Sequence, residues 1–175
     1  MELWDIYDSE RNKTGKIAER GKYKFKENEY HIVVIGVIIN SKKEILISQR
    51  AQKKKYPYLW ECSGGSVLKD ETSVEGVVRE LKEELGIELT TNEAILLKQI
   101  KREMSEHKEL PDFKDIWVFK KDIEINELKF TDGEVVNAQW VTIEKFMDMY
   151  DKNKIVPQIG FGLEEYKKAI ELLKL

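Results

Sequence analysis

The sequence has few of the residues on which many functional classes depend. Its 175 residues include one cysteine, Cys62, two histidines and three prolines. A single thiol cannot form a disulfide within the chain, and so few cysteines and histidines argue against a zinc site with ordinary ligand spacing. Charged residues, in contrast, make up 36% of the sequence. Any chemistry is therefore expected to rest on carboxylates and basic side chains.

Several motifs are also absent. The longest apolar run, Ile32 to Ile39, is too short to span a bilayer, which needs about 20 residues. There is no G-x-x-x-x-G-K-[ST] phosphate loop and no G-x-S-x-G nucleophile elbow. The net charge of −3 argues against a general nucleic-acid binder. We therefore expect neither membrane nor nucleic-acid partners. Because the N-terminal residues MELWDIYDSE are acidic and lack a signal-peptide layout, the expected location is cytoplasmic.

The most informative stretch runs from Gly65 to Ile87. Thr72 and Glu75 have the spacing of a capping box, and Gly86 is typical of a helix C-cap, so a helix is predicted between them. Apolar residues recur there at intervals of three and four and predict one buried face. They are Val74, Val77, Val78, Leu81 and Leu85.

Three glutamates, Glu80, Glu83 and Glu84, fall within about 100° of one another on the opposite side of this helix. Two carboxylates about 6 Å apart repel by roughly 2.8 kcal/mol at an effective dielectric of about 20, and by roughly 0.7 kcal/mol in water. A partly buried face of this kind needs a cation. Mg²⁺ is a natural partner because it accepts carboxylate ligands and keeps positions for water and phosphate. Taken alone, the three glutamates leave a solvated charged face as the alternative.

The complete spacing of the stretch resembles the Nudix box. Gly65 is followed after five residues by Glu71, and after seven more by the segment RELKEELGI, which ends at Ile87. Every specified position of the box is present, and a chance match in a chain of this length is on the order of 10⁻⁶. By this resemblance the sequence is identified as a member of the Nudix hydrolases.

The resemblance implies a role for each matched position. Glu80, Glu83 and Glu84 are the expected catalytic residues, with Glu80 as a base for the attacking water. Glu71 and Arg79 are expected to form a charge-assisted pair that holds the loop on the helix. The cofactor implied is Mg²⁺, with Mn²⁺ as a substitute. Its expected ligands are the backbone carbonyl of Gly65 and the carboxylates of Glu80, Glu83 and Glu84.

Outside the box, Arg50 and Glu134 are the candidate substrate-binding residues. Arg50 and residues 53–55 form a basic cluster just before the box, from which either Arg50 or one lysine is expected to contact a phosphate. A solvated loop is the alternative interpretation of this cluster. Glu134 precedes a strand that should return near the site, which makes it the first candidate for a further acidic group. Glu106 and Asp112 are the other two.

The rest of the chain predicts an α/β fold in a single domain, residues 1–175. Residues 1–27 are interpreted as an N-terminal β-hairpin with its reversal at Thr14-Gly15, residues 28–152 as a Nudix core and residues 153–175 as a C-terminal helix. The hairpin is expected to add two strands at the sheet edge, and a lid or a dimer arm is the alternative. The resemblance implies a Nudix-type α/β/α sandwich around a mixed β-sheet.

Individual elements are predicted from the apolar pattern. The segment Tyr30–Asn40 has no polar face and is expected to be a central strand, and His31 at its start is expected to be a hydrogen-bonded core histidine. The other predicted strands are Glu44–Arg50, Ala94–Met104, Ile116–Phe119 and Glu134–Val141. The predicted later helices are Ile143–Tyr150 and Leu163–Leu173.

The function implied by the resemblance is Mg²⁺-dependent hydrolysis of a diphosphate (pyrophosphate) bond in a nucleoside diphosphate linked to another moiety, X. Water attacks phosphorus, and the substrate is a small molecule. The box does not name X, so specificity is expected to come from residues 104–113, residues 131–134 and the hairpin. Oligomeric state is not encoded in the box either, and a homodimer is one alternative.

Two other functions are weighed against hydrolysis. The hairpin, the strand Tyr30–Asn40 and the run RAQKKKYPYLW resemble the isopentenyl-diphosphate isomerase branch of the same superfamily. That branch has a cysteine just before the box glycine and a histidine just after it, whereas this chain has Gly64 and Ser66. A non-catalytic nucleotide-binding module is the second alternative. Neither accounts for a box that retains all its carboxylates.

Overall fold

The computed structural model covers the whole chain, and the structure describes residues 1–104, 110–157 and 159–175. Of the candidate acidic residues, Glu106 lies outside the described residues. The elements are the strands β1 Leu3–Tyr7, β2 Lys13–Glu19, β3 His31–Ile39, β4 Ile45–Arg50, β5 Trp60–Glu61, β6 Gly64–Ser66, β7 Ile95–Arg102, β8 Asp112–Lys120 and β9 Val135–Val141, and the helices α1 Ser73–Leu85, α2 Ile143–Asp151 and α3 Leu163–Leu173.

The longest apolar segment forms the central strand of a mixed sheet. Strand β3 pairs in parallel with β8, from His31 opposite Asp112 to Ile39 opposite Lys120. On its other side it pairs antiparallel with β4 and with the short strand β6. The strand order is β5-β4-β3-β8-β7, and β9 pairs with β4. The predicted central position of this segment is confirmed, and β6 brings Gly65 to the middle of the sheet.

Alternate side chains of β3 enter two different cores. Val34 and Ile38 pack with the apolar face of α1, while Val37 and Ile39 pack with α2 and α3 on the other side of the sheet. At Gly36 a Cβ atom would lie 2.7 Å from Leu81 Cδ1, so this glycine lets α1 approach the strand closely. Burying a leucine side chain of this kind contributes roughly 2 kcal/mol. The α/β/α sandwich predicted from the resemblance is confirmed.

The N-terminal hairpin forms a separate two-stranded sheet. Its reversal lies at residues 8–12, where Asp8 Oδ1 accepts hydrogen bonds from the backbone N–H groups of Glu10 at 2.9 Å and Asn12 at 2.8 Å. The predicted reversal at Thr14-Gly15 is wrong, because Gly15 takes a positive φ of 79° inside β2 instead. The hairpin also does not extend the main sheet. It is attached by reciprocal backbone hydrogen bonds between Tyr7 and Tyr30, of 2.8 and 2.9 Å.

Two buried polar groups tie the hairpin to the core. Asp115 of β8 accepts both Nη groups of Arg11, at 2.8 and 2.5 Å, and also the hydroxyl of Ser73 at the start of α1. The His31 ring stacks on Trp4 at 4.6 Å and lies 3.2 Å from the carbonyl oxygen of Pro111. Burial lowers the pKa of His31. His31 is therefore the hydrogen-bonded core histidine that the sequence predicts.

The two later helices cover the face of the sheet opposite α1. Helix α2 begins at the Thr142 N-cap, and α3 has the predicted bounds. Lys168 of α3 donates to the Leu97 carbonyl group at 3.0 Å, and the Tyr166 hydroxyl group donates to the Lys43 carbonyl group at 2.8 Å. Among the described residues, no helix has the length and apolar character that crossing a membrane requires.

Candidate active site

Helix α1 is fixed at both ends by the residues that predict it. Thr72 Oγ1 accepts from the Glu75 N–H group at 3.3 Å, and a Glu75 carboxylate oxygen accepts from the Thr72 N–H group at 2.8 Å. At the other end Gly86 adopts a left-handed φ of 70° and donates to the Lys82 carbonyl group at 2.9 Å. These caps set the register of the helix, and so the positions of its carboxylates.

Arg79 joins the loop before α1 to the helix. Its Nε and Nη2 groups donate to the two carboxylate oxygens of Glu71 at 2.9 and 3.0 Å, and Nη2 also donates to the Ser66 carbonyl group at 2.9 Å. Glu71 in turn accepts from the Leu68 N–H group at 2.9 Å. This bidentate pair has a strong charge-assisted geometry and holds residues 66–71 against the helix.

The same arginine contacts two further box glutamates. Arg79 Nη1 donates to Glu80 at 2.8 Å and to Glu83 at 3.0 Å. Burial raises the pKa of Glu80, and the adjacent Arg79 charge opposes that shift. A Cβ atom at Gly65 would lie 2.7 Å from Glu80 Oε2, so glycine is what allows this carboxylate to lie against the β6 backbone.

Glu84 is buried and does not lie on a solvated helix face, which was the alternative that the three glutamates alone left open. Its side chain is 1% exposed because the loop that carries Lys54 covers this flank of α1. Lys54 Nζ lies 2.7 Å from Glu84 Oε1, 2.7 Å from Glu134 Oε2 and 3.8 Å from Glu61 Oε1. Burial nevertheless raises the pKa of Glu84 to about 7.

Two buried carboxylate oxygens near Lys54 lack hydrogen-bond partners. Within the described ranges, Glu84 Oε2 and Glu61 Oε1 are buried without a hydrogen bond. Oxygens of Glu84, Asp132 and Glu134 lie within 4.8 Å of one another, close enough to hold one metal ion. An unsatisfied buried acceptor costs about 1–3 kcal/mol, more when charged, so the arrangement favours a further cation.

The carboxylates that converge differ from the predicted metal set. Glu84 belongs to both sets, but in the structure it is grouped with Asp132 and Glu134. Glu80 and Glu83 instead share Arg79. Among the other acidic candidates, Asp112 pairs with Arg102, whose Nε donates to it at 2.8 Å.

A cavity opens beside these carboxylates, and basic residues line part of its wall. Arg50 donates from Nη1 to Glu61 and from Nε to the Lys55 carbonyl group at 2.7 Å. The cavity has a volume of about 540 Å³, within the range of small-molecule sites. Its lining includes the predicted residues Arg50, Gly65, Arg79, Glu80, Glu83 and Glu134. Cys62 is buried at its floor, where burial raises the pKa of the thiol.

Several lining residues were not singled out from the sequence. Glu61 lies on a two-residue strand that shows no periodicity, and Asp132 lies in a loop whose return to the site depends on β9 pairing with β4. Glu2 and Arg20 come from the hairpin. Residues 131–134 and the hairpin were expected to contribute specificity, but the individual residues were not indicated, because tertiary structure creates their proximity.

A helix that presents carboxylates to a cavity also lined by arginines and lysines defines the class of the protein as an enzyme that acts on phosphorylated substrates. The NUDIX domain model matches residues 29–159, and the chain belongs to the Nudix hydrolase family. This family acts on nucleoside diphosphate-linked substrates and generally uses a divalent metal. The predicted family, fold and enzyme class are confirmed.

Relatives of the chain include uncharacterised and named enzymes. An uncharacterised Nudix hydrolase of Listeria innocua is 36% identical over 172 residues, covering 97% of each chain. The CTP pyrophosphohydrolase of Escherichia coli is 43% identical over 74 residues, which cover 42% of this chain and 53% of that protein. A crystal structure from Deinococcus radiodurans has the same fold, with a TM-score of 0.69 and 21% identity, covering 89% of this chain and 92% of that one.

Proposed function

We propose that the protein is a Mg²⁺-dependent hydrolase that cleaves the diphosphate bond of a nucleoside diphosphate linked to a moiety X. The observation that supports this most is the buried Glu84, which has one oxygen without a hydrogen bond and converges with Glu134 and Asp132, two residues that line the cavity. A site that combines converging carboxylates with cationic residues suits a substrate bound as a metal–phosphate complex.

The residues present fit a hard divalent cation. All the donors are oxygens, the cluster of Glu84, Asp132 and Glu134 is compact, and a lysine ammonium group already lies among the carboxylates. The residues that would hold the ion are Glu84, Glu134 and Asp132, together with Glu80, Glu83 and the Gly65 carbonyl group of the box. When bound, Mg²⁺ or Mn²⁺ neutralises phosphate charge and lowers the pKa of water.

The remaining roles fall to the side chains of the cavity. Glu80 is proposed as the base that orients the attacking water and takes its proton, because it is buried next to Gly65 and is held by Arg79. Glu71 fixes Arg79, and so supports the site without contacting the substrate. Arg50 and Glu134 bind the substrate, with Arg50 donating to a phosphate oxygen.

The substrate class is narrowed by the cavity and by one relative. A volume of about 540 Å³ suits a nucleotide-sized small molecule. The E. coli relative is named for CTP pyrophosphate hydrolysis, and we propose a nucleotide-linked diphosphate for this chain. An isomerase would need a proton-transferring pair at Gly64 and Ser66, and neither residue can supply one at neutral pH.

The direct test measures product release from a panel of nucleotide-linked diphosphates and isopentenyl diphosphate, with Mg²⁺ and with EDTA. Wild-type protein is compared with Glu83→Gln and Glu84→Gln, and with Glu88→Gln as the matched control. Glu88 pairs with Lys82 at 3.1 Å and is 81% exposed, outside the cavity. Mg²⁺-dependent hydrolysis lost in the first two variants and retained in the third supports the proposal. An isomerised product, or nucleotide binding without turnover of any panel member, overturns it.

Three further predictions concern the protein as a whole. We propose that residues 1–175 form one domain, because the hairpin and α3 both pack on elements of the same sheet. A homodimer and a cytoplasmic location are also proposed. Light scattering of the purified protein and fractionation of the producing cells test these two proposals.

A further inference from the structure

The hairpin contributes to the cavity although it lies outside the segment that matches the family. The match begins at residue 29, whereas Glu2 and Arg20 both line the cavity. These two side chains therefore reach the site from outside the segment that the family model describes.

The hairpin is a fixed wall of the cavity. Its backbone is hydrogen-bonded to Tyr30. In addition, the Leu3 carbonyl group of the hairpin accepts a hydrogen bond of 2.8 Å from the Lys69 N–H group. The Asp70 N–H group donates to Asp5 at 2.9 Å. These contacts of β1 hold the hairpin against the loop before α1, and the Arg11–Asp115 pair at the turn ties it to β8. Arg20 therefore has a defined position relative to the catalytic helix.

Arg20 is held by one carboxylate and keeps donors for a ligand. Its backbone N–H group donates to the Glu2 carbonyl group at 3.0 Å, and Nη1 donates to a Glu2 carboxylate oxygen at 2.6 Å. Across the described parts of the chain this is the guanidinium's one hydrogen-bond partner, and the side chain is 64% exposed. The planar fork of arginine carries five donors, so several remain for a ligand.

A second cavity, of about 400 Å³, opens beside the first. It is lined by five cationic side chains and one carboxylate: Arg20, Arg50, Lys53, Lys54, Lys55 and Glu134. Four of these six residues also line the first cavity, so the two cavities adjoin. A ligand bound in the first cavity therefore lies next to the cationic side chains of the second.

The charge of the second cavity is only partly compensated. Three of its cations pair with carboxylates that lie outside it. The pairs are Arg20 with Glu2, Arg50 with Glu61, and Lys54 with Glu84. Lys53 instead donates to the backbone carbonyl group of Asp132 at 3.1 Å, which leaves its charge in place. The positive excess of the second cavity therefore lies on the lysine loop at Lys53, whereas Arg20 is paired with Glu2.

We propose that the second cavity binds an additional phosphate group of the substrate, beyond the diphosphate that is cleaved, and that Arg20 is its specificity-determining residue. This inference rests on the proposed hydrolysis. A guanidinium fork facing lysines matches the geometry and charge of a phosphate. The phosphate is either the third of a nucleoside triphosphate or a monoester on the ribose of a dinucleotide.

Calorimetric titration with inorganic tripolyphosphate and pyrophosphate, in EDTA, tests the subsite without turnover. The variants are Arg20→Gln, Arg20→Lys and, as a matched control on the same hairpin, Lys22→Gln. Arg20→Gln is expected to bind tripolyphosphate at least about tenfold more weakly, because a hydrogen bond to a charged group is lost. Arg20→Lys should recover part of that affinity, and Lys22→Gln should match the wild type.

Two substrate pairs then identify the source of the phosphate. The ratio of kcat/KM for ATP over ADP reports a third phosphate, and the ratio for NADP⁺ over NAD⁺ reports a ribose monoester. One ratio should exceed unity in the wild type and fall at least about fivefold in Arg20→Gln. Equal tripolyphosphate affinities for the wild type and Arg20→Gln overturn the subsite. Absence of Mg²⁺-dependent turnover with every substrate overturns the proposed function, while the titration still decides the subsite.

Discussion

Lys54 Nζ lies 2.7 Å from Glu84 Oε1, inside the group of carboxylates that best fits a metal ion. Its side chain is 13% exposed, and the same ammonium group contacts Glu134 at 2.7 Å. The Lys54 ammonium group thus occupies the position at which a divalent metal ion would bind. A metal ion bound at the proposed site would compete with Lys54 for the same oxygens.

Substituting Lys54 tests this competition. Lys54→Met is expected to bind Mn²⁺ more tightly by about tenfold, because the ammonium group no longer has to leave the carboxylates. The metal-free variant should lose about 3 kcal/mol of stability, since buried carboxylates are left unpaired. Mn²⁺ binding is measured by electron paramagnetic resonance and stability by urea denaturation. Lys53→Met is the neighbouring control, and weaker Mn²⁺ binding by Lys54→Met would contradict the competition.

The contribution of Glu84 to the stability of the metal-free protein should fall as the pH rises from about 4.5 to 7. Burial raises the pKa of Glu84 from 4.5 to about 7, so the folded protein keeps a proton that the unfolded chain has released. The free energy of unfolding then falls across that window, by up to ~3 kcal/mol, and is constant above it. The check is the difference in urea stability between wild type and Glu84→Gln as a function of pH. A difference that does not vary with pH would show that Lys54 keeps Glu84 ionised throughout.

Two adjacent glycines should respond differently to alanine. A Cβ atom at Gly65 meets the end of the flexible Glu80 side chain, so Gly65→Ala should displace that carboxylate and lower kcat by about 10²-fold with little loss of stability. A Cβ atom at Gly64 meets the Val34 backbone carbonyl group, which cannot move away without disturbing β3. Gly64→Ala should therefore destabilise the fold. Thermal denaturation and kcat together separate the two effects, and an equal loss of stability in both variants would refute the distinction.

Asp115 should hold the hairpin to the core. It is 1% exposed and accepts from Arg11, Ser73 and Gln99. Asp115→Asn removes the charge that pairs with Arg11 and should cost about 3 kcal/mol of unfolding free energy. Urea denaturation measures the loss, with the exposed Asp151→Asn as control. Hydrogen exchange at Trp4 and Ile6 should rise in Asp115→Asn, and unchanged exchange would mean that other contacts suffice.

The sequence predicts the elements whose causes are local. The caps of α1 at Thr72 and Gly86, the apolar run of β3 and the bounds of α3 all follow from residues close together in the chain. The hairpin reversal was misplaced because Gly15 is a turn residue by type, whereas the Asp8 carboxylate creates the turn that forms. Local rules rank turn residues, but they do not decide between neighbouring turns.

The candidate site is only partly predictable for a different reason. The box positions are spaced along one helix, so the sequence indicates them directly. Asp132, Glu61 and Arg20 reach the same cavity from three separate parts of the chain. The burial of Glu84 also depends on the position of Lys54, 30 residues earlier. No periodicity connects such residues, because tertiary packing alone brings them together.

The parallel pairing of β3 with β8 has a consequence for how the chain is made. His31 must find Asp112, and Ile39 must find Lys120, so the central strand stays unpaired on that side until the ribosome has released most of the chain. At ~5–20 residues per second, synthesis of the intervening segment leaves an apolar strand exposed for several seconds. Pairing across such a separation also carries a loop-closure cost and slows folding. Helix α1 can pack early on β3 and β6, which precede it in the chain, but the sheet beneath it is completed only after β8 arrives.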